Sequence, residues 1–315
     1  MEHDPELQIT LIGAGTIGLS FAVLHLSHLV SAHQLTIYDT RPNLAQYVQE
    51  TLSIFYGNEP APFPISNIRI ATSLRDAVES AQVIQESLPE NVQIKRELWA
   101  QVEKYAPKDA LLWSSTSGIP ASQQAQDMSD VTRLLVVHPY NPPHIMPLLE
   151  LVPSPSTSPT VVQRTEEFWK VRGRVPVHIK HETTGFVANR LAFALLREAI
   201  HLVDTGVVSV EEVDRIVESS MGPRWAVAGP FKSYHAGGGS VGLQGFFKNI
   251  GGTVQACWKD SGRVEVGDGW EDNVFKQATE VYGTVDIRER DRITRRLLAV
   301  LKEERESASI QNDGQ

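Results

Sequence analysis

The sequence predicts an α/β fold: a Rossmann-type, mostly parallel sheet over residues 1–183, followed by an all-helical domain over residues 184–315. Three observations predict it. A glycine turn, Gly13-Ala14-Gly15-Thr16-Ile17-Gly18, joins a short apolar run to a helical pattern. Short apolar runs then alternate with helix-period segments as far as Ile179. Beyond Gly185 the alternation stops and only helical spacing remains.

The first strand is expected at Gln8–Ile12 and its helix from Leu19 to about Val30. Between them Gly13 permits a tight turn, Gly15 lets a pyrophosphate approach the backbone, and Gly18 lets the helix pack closely. The helix N-terminus offers its free N–H groups to the phosphates. A second strand, Gln34–Tyr38, ends in Asp39, about 20 residues past the last glycine, where the hydroxyls of an adenosine ribose would be held. Asp39 would repel a 2′-phosphate and so favours NAD over NADP. Arg41, two residues on, works against that preference.

Residues 41–65 read as an irregular insertion with a helical opening (Leu44, Tyr47, Val48, Leu52) and then Pro60, Pro62 and Pro64. A strand at Ile68–Ala71, a short helix at Asp76–Ser80 and a strand at Val83–Ser87 follow. A long helix is expected at Val92–Tyr105, then a strand at Ala110–Trp113 and a short helix near Ala121. Glu90 and Lys95 stand where loops at the carboxyl ends of parallel strands line a crevice; helix-end charges are the plainer reading. The hydroxyls of Ser114, Ser115, Thr116 and Ser117 could bind a substrate oxygen or simply cap the next helix.

The most chemically loaded stretch is Val131–Val152. An apolar strand, Leu134–Val137, stops at His138, and Pro139, Pro142 and Pro143 forbid further regular pairing. A second apolar run, Leu148–Val152, carries Glu150 in its middle, where a charge is costly without a partner. His138 is the nearby group that could use it, as an imidazole held for general-base work. A surface histidine and a salt-bridged glutamate are the plainer alternative. Ser117 lies on the same sheet edge, which favours the functional reading. A metal site on His138, His144 and Glu150 is disfavoured, since the prolines leave no regular ligand spacing.

A turn at Ser154–Pro159, a helix at Thr160–Val171 and a last strand at Val175–Ile179 lead to a hinge at His181–Gly185. Phe186, Val187, Leu191, Leu195, Ala199 and Leu202 then recur at helical spacing. Asn189 faces either solvent or a crevice. A capping box, Ser209-Val210-Glu211-Glu212, opens a helix that stops at Gly222-Pro223. A glycine-rich segment, Gly237–Gly245, precedes further helix. The last helix, about Asp286–Glu304, ends in a frayed tail. The apolar faces of these helices serve a core or a second subunit.

Composition bounds the possibilities. A length of 315 residues suits two domains, and 41% hydrophobic with 21% charged residues suits a soluble globular protein. The net charge of −9 argues against nucleic acid and anionic membranes as partners. No apolar run reaches the roughly 18 residues of a membrane span. The single cysteine, Cys257, leaves no internal disulfide, which suits a reducing, cytoplasmic setting. The opening MEHDPELQ is too acidic for a secretory signal or transit peptide.

Taken together, these residues resemble the 3-hydroxyacyl-CoA dehydrogenase superfamily over nearly the whole chain. The resemblance rests on Gly13–Gly18, on Gln85-Glu86-Ser87-Leu88-Pro89-Glu90-Asn91 with Lys95, and on Ser114–Gly118. It rests further on His138-Pro139-Tyr140-Asn141-Pro142 with Glu150, and on Gly185-Phe186-Val187-Ala188-Asn189-Arg190. Within the superfamily the chain is similar to the short branch that holds L-gulonate 3-dehydrogenase (lambda-crystallin) and L-carnitine dehydrogenase. Gln85–Asn91, His138–Pro143, Leu148–Pro153 and Met221–Phe231 carry that likeness.

The resemblance implies an NAD-dependent dehydrogenase, a Rossmann domain with a helical dimerisation domain, and a homodimer. It implies His138 as general base, Glu150 as its orienting carboxylate, and Ser117 and Asn189 as the groups holding the reacting oxygen. Asn141 becomes a further polar site residue. Glu90 and Lys95 become cofactor contacts, against the plainer reading above. Ser115 stands where acyl-CoA enzymes usually carry Asn, and Gly118 where they carry a hydroxyl or small residue. Both departures weaken the acyl-CoA substrate more than the chemistry. Arg224, in a segment shared with the gulonate and carnitine branch, could grip a free carboxylate with two hydrogen bonds or pair with a helix carboxylate. The expected substrate is a small 3-hydroxy acid, with a 3-hydroxyacyl-CoA thioester and a non-redox, structural use of the scaffold as alternatives.

Overall fold

This computed structural model describes residues 4–57 and 60–313. They form two compact units, divided between Arg190 and Leu191. In the first, β1 (Ile9–Ile12), α1 (Thr16–Leu26), β2 (Leu35–Tyr38), α2 (Leu44–Tyr56), β3 (Arg69–Ile70) and α3 (Leu74–Val78) make the opening half. Next come β4 (Val83–Glu86), α4 (Val92–Tyr105), β5 (Leu111–Ser114), α5 (Ala121–Gln124), β6 (Leu134–Pro139), β7 (Leu148–Pro153), α6 (Pro159–Lys170) and β8 (Val175–His178).

The eight strands form one sheet in the order β3-β2-β1-β4-β5-β6-β7-β8. Every neighbouring pair is parallel except β6 and β7, so β7 and β8 run against the rest. All residues of β1, β4, β5 and β6 are buried. That is why these strands read as unbroken apolar runs: helices cover both faces. Leu135 and Val137 point into one layer with residues of α1, α2 and α6. Leu134 and Val136 point into the other, with Trp99 and Val102 of α4 and Ala121 of α5.

Several elements differ from expectation. The first helix begins at Thr16, three residues early, because the glycine turn feeds directly into it. The helical opening expected in the insertion is present as α2, which runs 13 residues and buries Leu44, Val48 and Leu52. These apolar positions repeat every four residues, and the helix ends at Gly57 before the prolines matter. The strand through His138 does not stop there. Pro139 stays in register with Leu149, since a proline at a strand's last position removes only one donor. Phe186 and Val187 lie outside helix α7 (Ala188–Asp204).

The second unit is helical. It holds the rest of α7, then α8 (Val210–Ser219), α9 (Met221–Val227), α10 (Pro230–Gly237), α11 (Leu243–Asp260), α12 (Trp270–Tyr282) and α13 (Ile287–Asp313). The capping box at α8 is present in both directions between Ser209 and Glu212. Gly222-Pro223 does not end a helix but sits in the first turn of α9, where a missing N–H costs nothing. Gly245 lies inside α11, and the last helix continues through the expected tail to Asp313. Among the described residues of this unit, the buried hydrophobic side chains are Val203 and Trp270.

Candidate active site

The glycine turn closes the carboxyl end of β1. Gly13 has φ +98°, and a Cβ there would stand 2.7 Å from the Ser87 carbonyl oxygen. A Cβ on Gly18 would fall 2.0 Å from the Gly13 carbonyl oxygen. The chain itself therefore demands these two glycines. Gly15 is different: its φ of −74° suits any residue. A Cβ there would meet nothing within 4 Å. What it leaves is open space above the start of α1. That helix has no side-chain cap and no acid in its first turn, so its leading N–H groups are unclaimed among the described residues. Such a helix start is able to hold the phosphate of a ligand. Thr16 is exposed beside it, while Ile17 packs on the core.

Asp39 stands next to the turn. Its Oδ2 accepts the Ala14 N–H at 2.6 Å and its Oδ1 the Arg41 N–H at 2.8 Å. The Arg41 guanidinium lies 3.6 Å from the centre of the Tyr47 ring, a cation–π contact with α2.

Lys95 lies deeper than a crevice contact should. It is fully buried, and its ammonium donates to Glu86 Oε1 at 2.5 Å and to the Leu88 carbonyl at 3.2 Å. Glu86 also accepts the Ser114 hydroxyl at 2.7 Å and the Leu88 N–H. The pair thus braces the loop after β4. From that loop Glu90 reaches the next strand, accepting the Thr116 hydroxyl and the Ser117 N–H, each at 2.6 Å. The four hydroxyls of Ser114–Ser117 therefore divide. Ser114 and Thr116 are bound to carboxylates, Ser115 accepts from Gln85, and Ser117 alone is exposed.

His138 and Glu150 are register partners on β6 and β7, both buried, with Nδ1 and Oε2 2.8 Å apart. The other carboxylate oxygen accepts the N–H of Val187 at 2.8 Å and of Ala188 at 3.0 Å. Two consecutive left-handed residues, Gly185 (φ +71°) and Phe186 (φ +52°), turn the chain to deliver those N–H groups. Burial opposes ionisation of Glu150. The His138 bond and the two N–H donors outweigh it and hold the carboxyl below its ordinary value of 4.5. The Phe186 ring packs 5.1 Å from the imidazole. With Nδ1 engaged, Nε2 is the nitrogen left for chemistry.

The Asn189 amide donates to the Ser117 carbonyl oxygen at 3.5 Å, so these two residues share one place. Asn141 is exposed just past β6, before a cis peptide bond to Pro142. His144 is turned elsewhere, its Nδ1 2.7 Å from the Ser20 hydroxyl of α1. Arg224 belongs to the second unit, exposed on α9, and no carboxylate lies within ion-pair distance of it among the described residues. Sequence reasoning missed Phe186 and Glu86. Phe186 looked like the first beat of a helical repeat. Its one hint was that a buried Glu150 needs more partners than one imidazole.

A glycine turn, an acid beside it and an imidazole oriented by a carboxylate stand at the carboxyl edge of one sheet. Residues 8–183 match the 3-hydroxyacyl-CoA dehydrogenase NAD-binding domain, and residues 185–268 match the C-terminal domain of the same family. The chain is an NAD-dependent oxidoreductase, with NAD as its cofactor. It belongs to the 3-hydroxyacyl-CoA dehydrogenase family. A 3-hydroxyacyl-CoA dehydrogenase of Gibberella moniliformis is 35% identical over 85% of this chain and 80% of its own length. An L-carnitine dehydrogenase of Streptomyces griseus subsp. griseus is 32% identical over 80% of this chain and 76% of its own. Among solved structures, 5-formyl-3-hydroxy-2-methylpyridine 4-carboxylic acid 5-dehydrogenase, an NAD+-dependent dismutase, superposes with a TM-score of 0.77. It is 27% identical, and the match covers 94% of this chain and 98% of that one.

Proposed function

We propose that the protein oxidises the 3-hydroxyl of a small 3-hydroxy acid carrying a free carboxylate, gulonate- or carnitine-like, to the 3-keto acid, or runs the reverse. The carrying observation is the His138–Glu150 pair, closed by two backbone N–H groups, at the same sheet edge as the glycine turn. Bound NAD supplies the hydride acceptor. The alcohol carbon cannot release hydride unless its O–H proton leaves as well. His138 takes that proton at Nε2, and Glu150 stabilises the resulting imidazolium. The Ser117 hydroxyl and the Asn189 amide hold the substrate oxygen, with Asn141 beyond them.

On the cofactor side, Gly13, Gly15, Thr16, Ile17 and Gly18 form the pyrophosphate cradle and Asp39 receives the adenosine ribose. Glu90 meets the cofactor where it holds the Ser117 loop. Lys95 acts through the loop it braces, because its ammonium is committed to Glu86.

Arg224 is the candidate grip for the free carboxylate. Its exposure, and the lack of an acid partner among the described residues, favour that use over a structural ion pair. A 3-hydroxyacyl-CoA thioester remains the second reading, favoured by the Gibberella relative's own activity. The helical unit would form a homodimer. Leu191, Phe193 and Leu196 of α7 and Trp258 of α11 are each more than half exposed in a single chain, and a second copy would cover them. The lone cysteine is free, which fits a cytoplasmic setting.

The test is a screen of free and CoA-linked 3-hydroxy acids by NADH absorbance, alongside light scattering for mass. His138→Ala should keep NADH binding while turnover falls by about 10²–10⁴-fold. Arg224→Met should raise KM for a free acid and leave a thioester unaffected. No turnover on any hydroxy compound would favour a structural use of the scaffold.

A further inference from the structure

Beneath the serine loop runs a polar chain that this chemistry does not use. His25, on α1, is buried among aromatic rings, with Trp169 at 5.3 Å and Phe21 at 6.1 Å between centroids. Its Nε2 lies 3.0 Å from Gln85 Oε1, and its Nδ1 has no hydrogen-bond partner among the described residues. Burial lowers its pKa to about 3, against the opposing pull of Gln85, so the ring is neutral in any ordinary buffer. One ring nitrogen then carries a hydrogen and the other a lone pair. A buried N–H without an acceptor is rarer than an unused lone pair. The hydrogen is therefore on Nε2 and is donated to Gln85.

That choice orients everything downstream. The Gln85 oxygen accepts from His25, so its amide nitrogen donates to Ser115 Oγ at 3.0 Å. Ser115 Oγ is thus an acceptor on the Gln85 side. Its own hydrogen has no acceptor among the described residues: Oγ takes part only in the bond from Gln85, and the remaining bond at Ser115 runs from its backbone N–H to the Glu86 carbonyl. Ser115 is more than nine-tenths buried. It lies one step past the Glu86–Ser114 register pair, at the carboxyl end of β5. Its neighbour across that step, Ser87, also has a buried hydroxyl without a partner among the described residues.

The position names the ligand group. Asp39 ends β2 and the glycine turn ends β1, so a dinucleotide laid across them continues over β4 and β5 towards His138 on β6. Strands stand about 4.8 Å apart, which puts Ser115 two strands beyond the pyrophosphate cradle and one short of the imidazole. That is the nicotinamide half. We propose, resting on the NAD assignment above, that His25 and Gln85 position the Ser115 hydroxyl as a directed donor to the nicotinamide carboxamide oxygen. Ser115 is then a cofactor-binding residue, while His25 and Gln85 are positioning residues. Without His25 the amide is free to turn its oxygen on Ser115 and take up the hydrogen.

The test compares NADH with ADP-ribose, which has the same molecule up to the second ribose but no nicotinamide. Binding is measured by calorimetry without substrate. Ser115→Ala should weaken NADH about three- to tenfold, the worth of one neutral hydrogen bond, and leave ADP-ribose unchanged. His25→Phe, which preserves the aromatic packing, should do the same. The double variant should lose no more than either alone, because both break one chain. Unchanged NADH affinity in Ser115→Ala, or equal losses for both ligands, would overturn the proposal. Wild-type protein that bound neither ligand would overturn the NAD assignment beneath it. Wild-type protein that bound ADP-ribose as tightly as NADH would overturn the carboxamide contact alone.

Discussion

Exchanging Glu150 for glutamine tests the site at its most constrained point. Glutamine has the same shape, so it can keep one oxygen for the N–H groups of Val187 and Ala188. Its NH2 must then face His138 Nδ1, where the carboxylate oxygen sat at 2.8 Å. A donor there forces Nδ1 to accept. The ring hydrogen moves to Nε2, and the imidazole presents a donor where alcohol oxidation needs an acceptor. A comparable carboxylate-to-amide exchange behind the histidine of a serine protease lowers kcat about 10⁴-fold by the same tautomer change. General-base contributions of about 10²–10⁴-fold bracket the expected loss here. The assay is steady-state oxidation of whichever hydroxy acid the screen identifies, with NADH affinity measured separately by fluorescence. Glu150→Gln should lose kcat and keep NADH affinity. Turnover within a few-fold of wild type would refute the tautomer argument, and with it the role assigned to His138.

Other outcomes follow from the same geometry. Gly15→Ala should leave the melting temperature unchanged and cut NADH affinity at least about tenfold, whereas Gly18→Ala should prevent folding, as calorimetry and circular dichroism would show. Lys95→Met leaves the Glu86 carboxylate buried and unpaired; urea unfolding should show a loss of about 3–5 kcal/mol. Glu150 has its folded pKa below the unfolded value. Its stabilisation is therefore complete above about pH 4.5 and disappears as pH falls through the folded value, so acid unfolding of Glu150→Gln should be less steep than wild type in that window.

Much of the first unit was legible because its punctuation is local. The glycine turn, Asp39 at the end of β2 and helix α4 need only neighbours in sequence to declare themselves. His138 and Glu150 could be matched because a proline-rich hairpin joins two apolar strands, and the register brings them face to face. The buried Glu86–Lys95 pair was not legible. Nothing in a lysine in the first turn of a helix shows that β4 and the loop after it will close over its ammonium. The division of labour among Ser114–Ser117 was equally hidden. It is set by which face of β5 meets Glu86 and Gln85, a matter of sheet register rather than composition.

Phe186 is subject to two demands that no amino acid meets together. Its torsion angles are those that glycine adopts freely, yet the space beneath the His138 ring is filled by a benzyl group with no solvent exposure. Glycine there would relax the backbone and open a void; any branched residue would fill the void and worsen the torsion. Substitution at this position is therefore opposed from both directions. A library that randomises it should return almost only aromatic survivors, even though the side chain takes no part in any bond-making step.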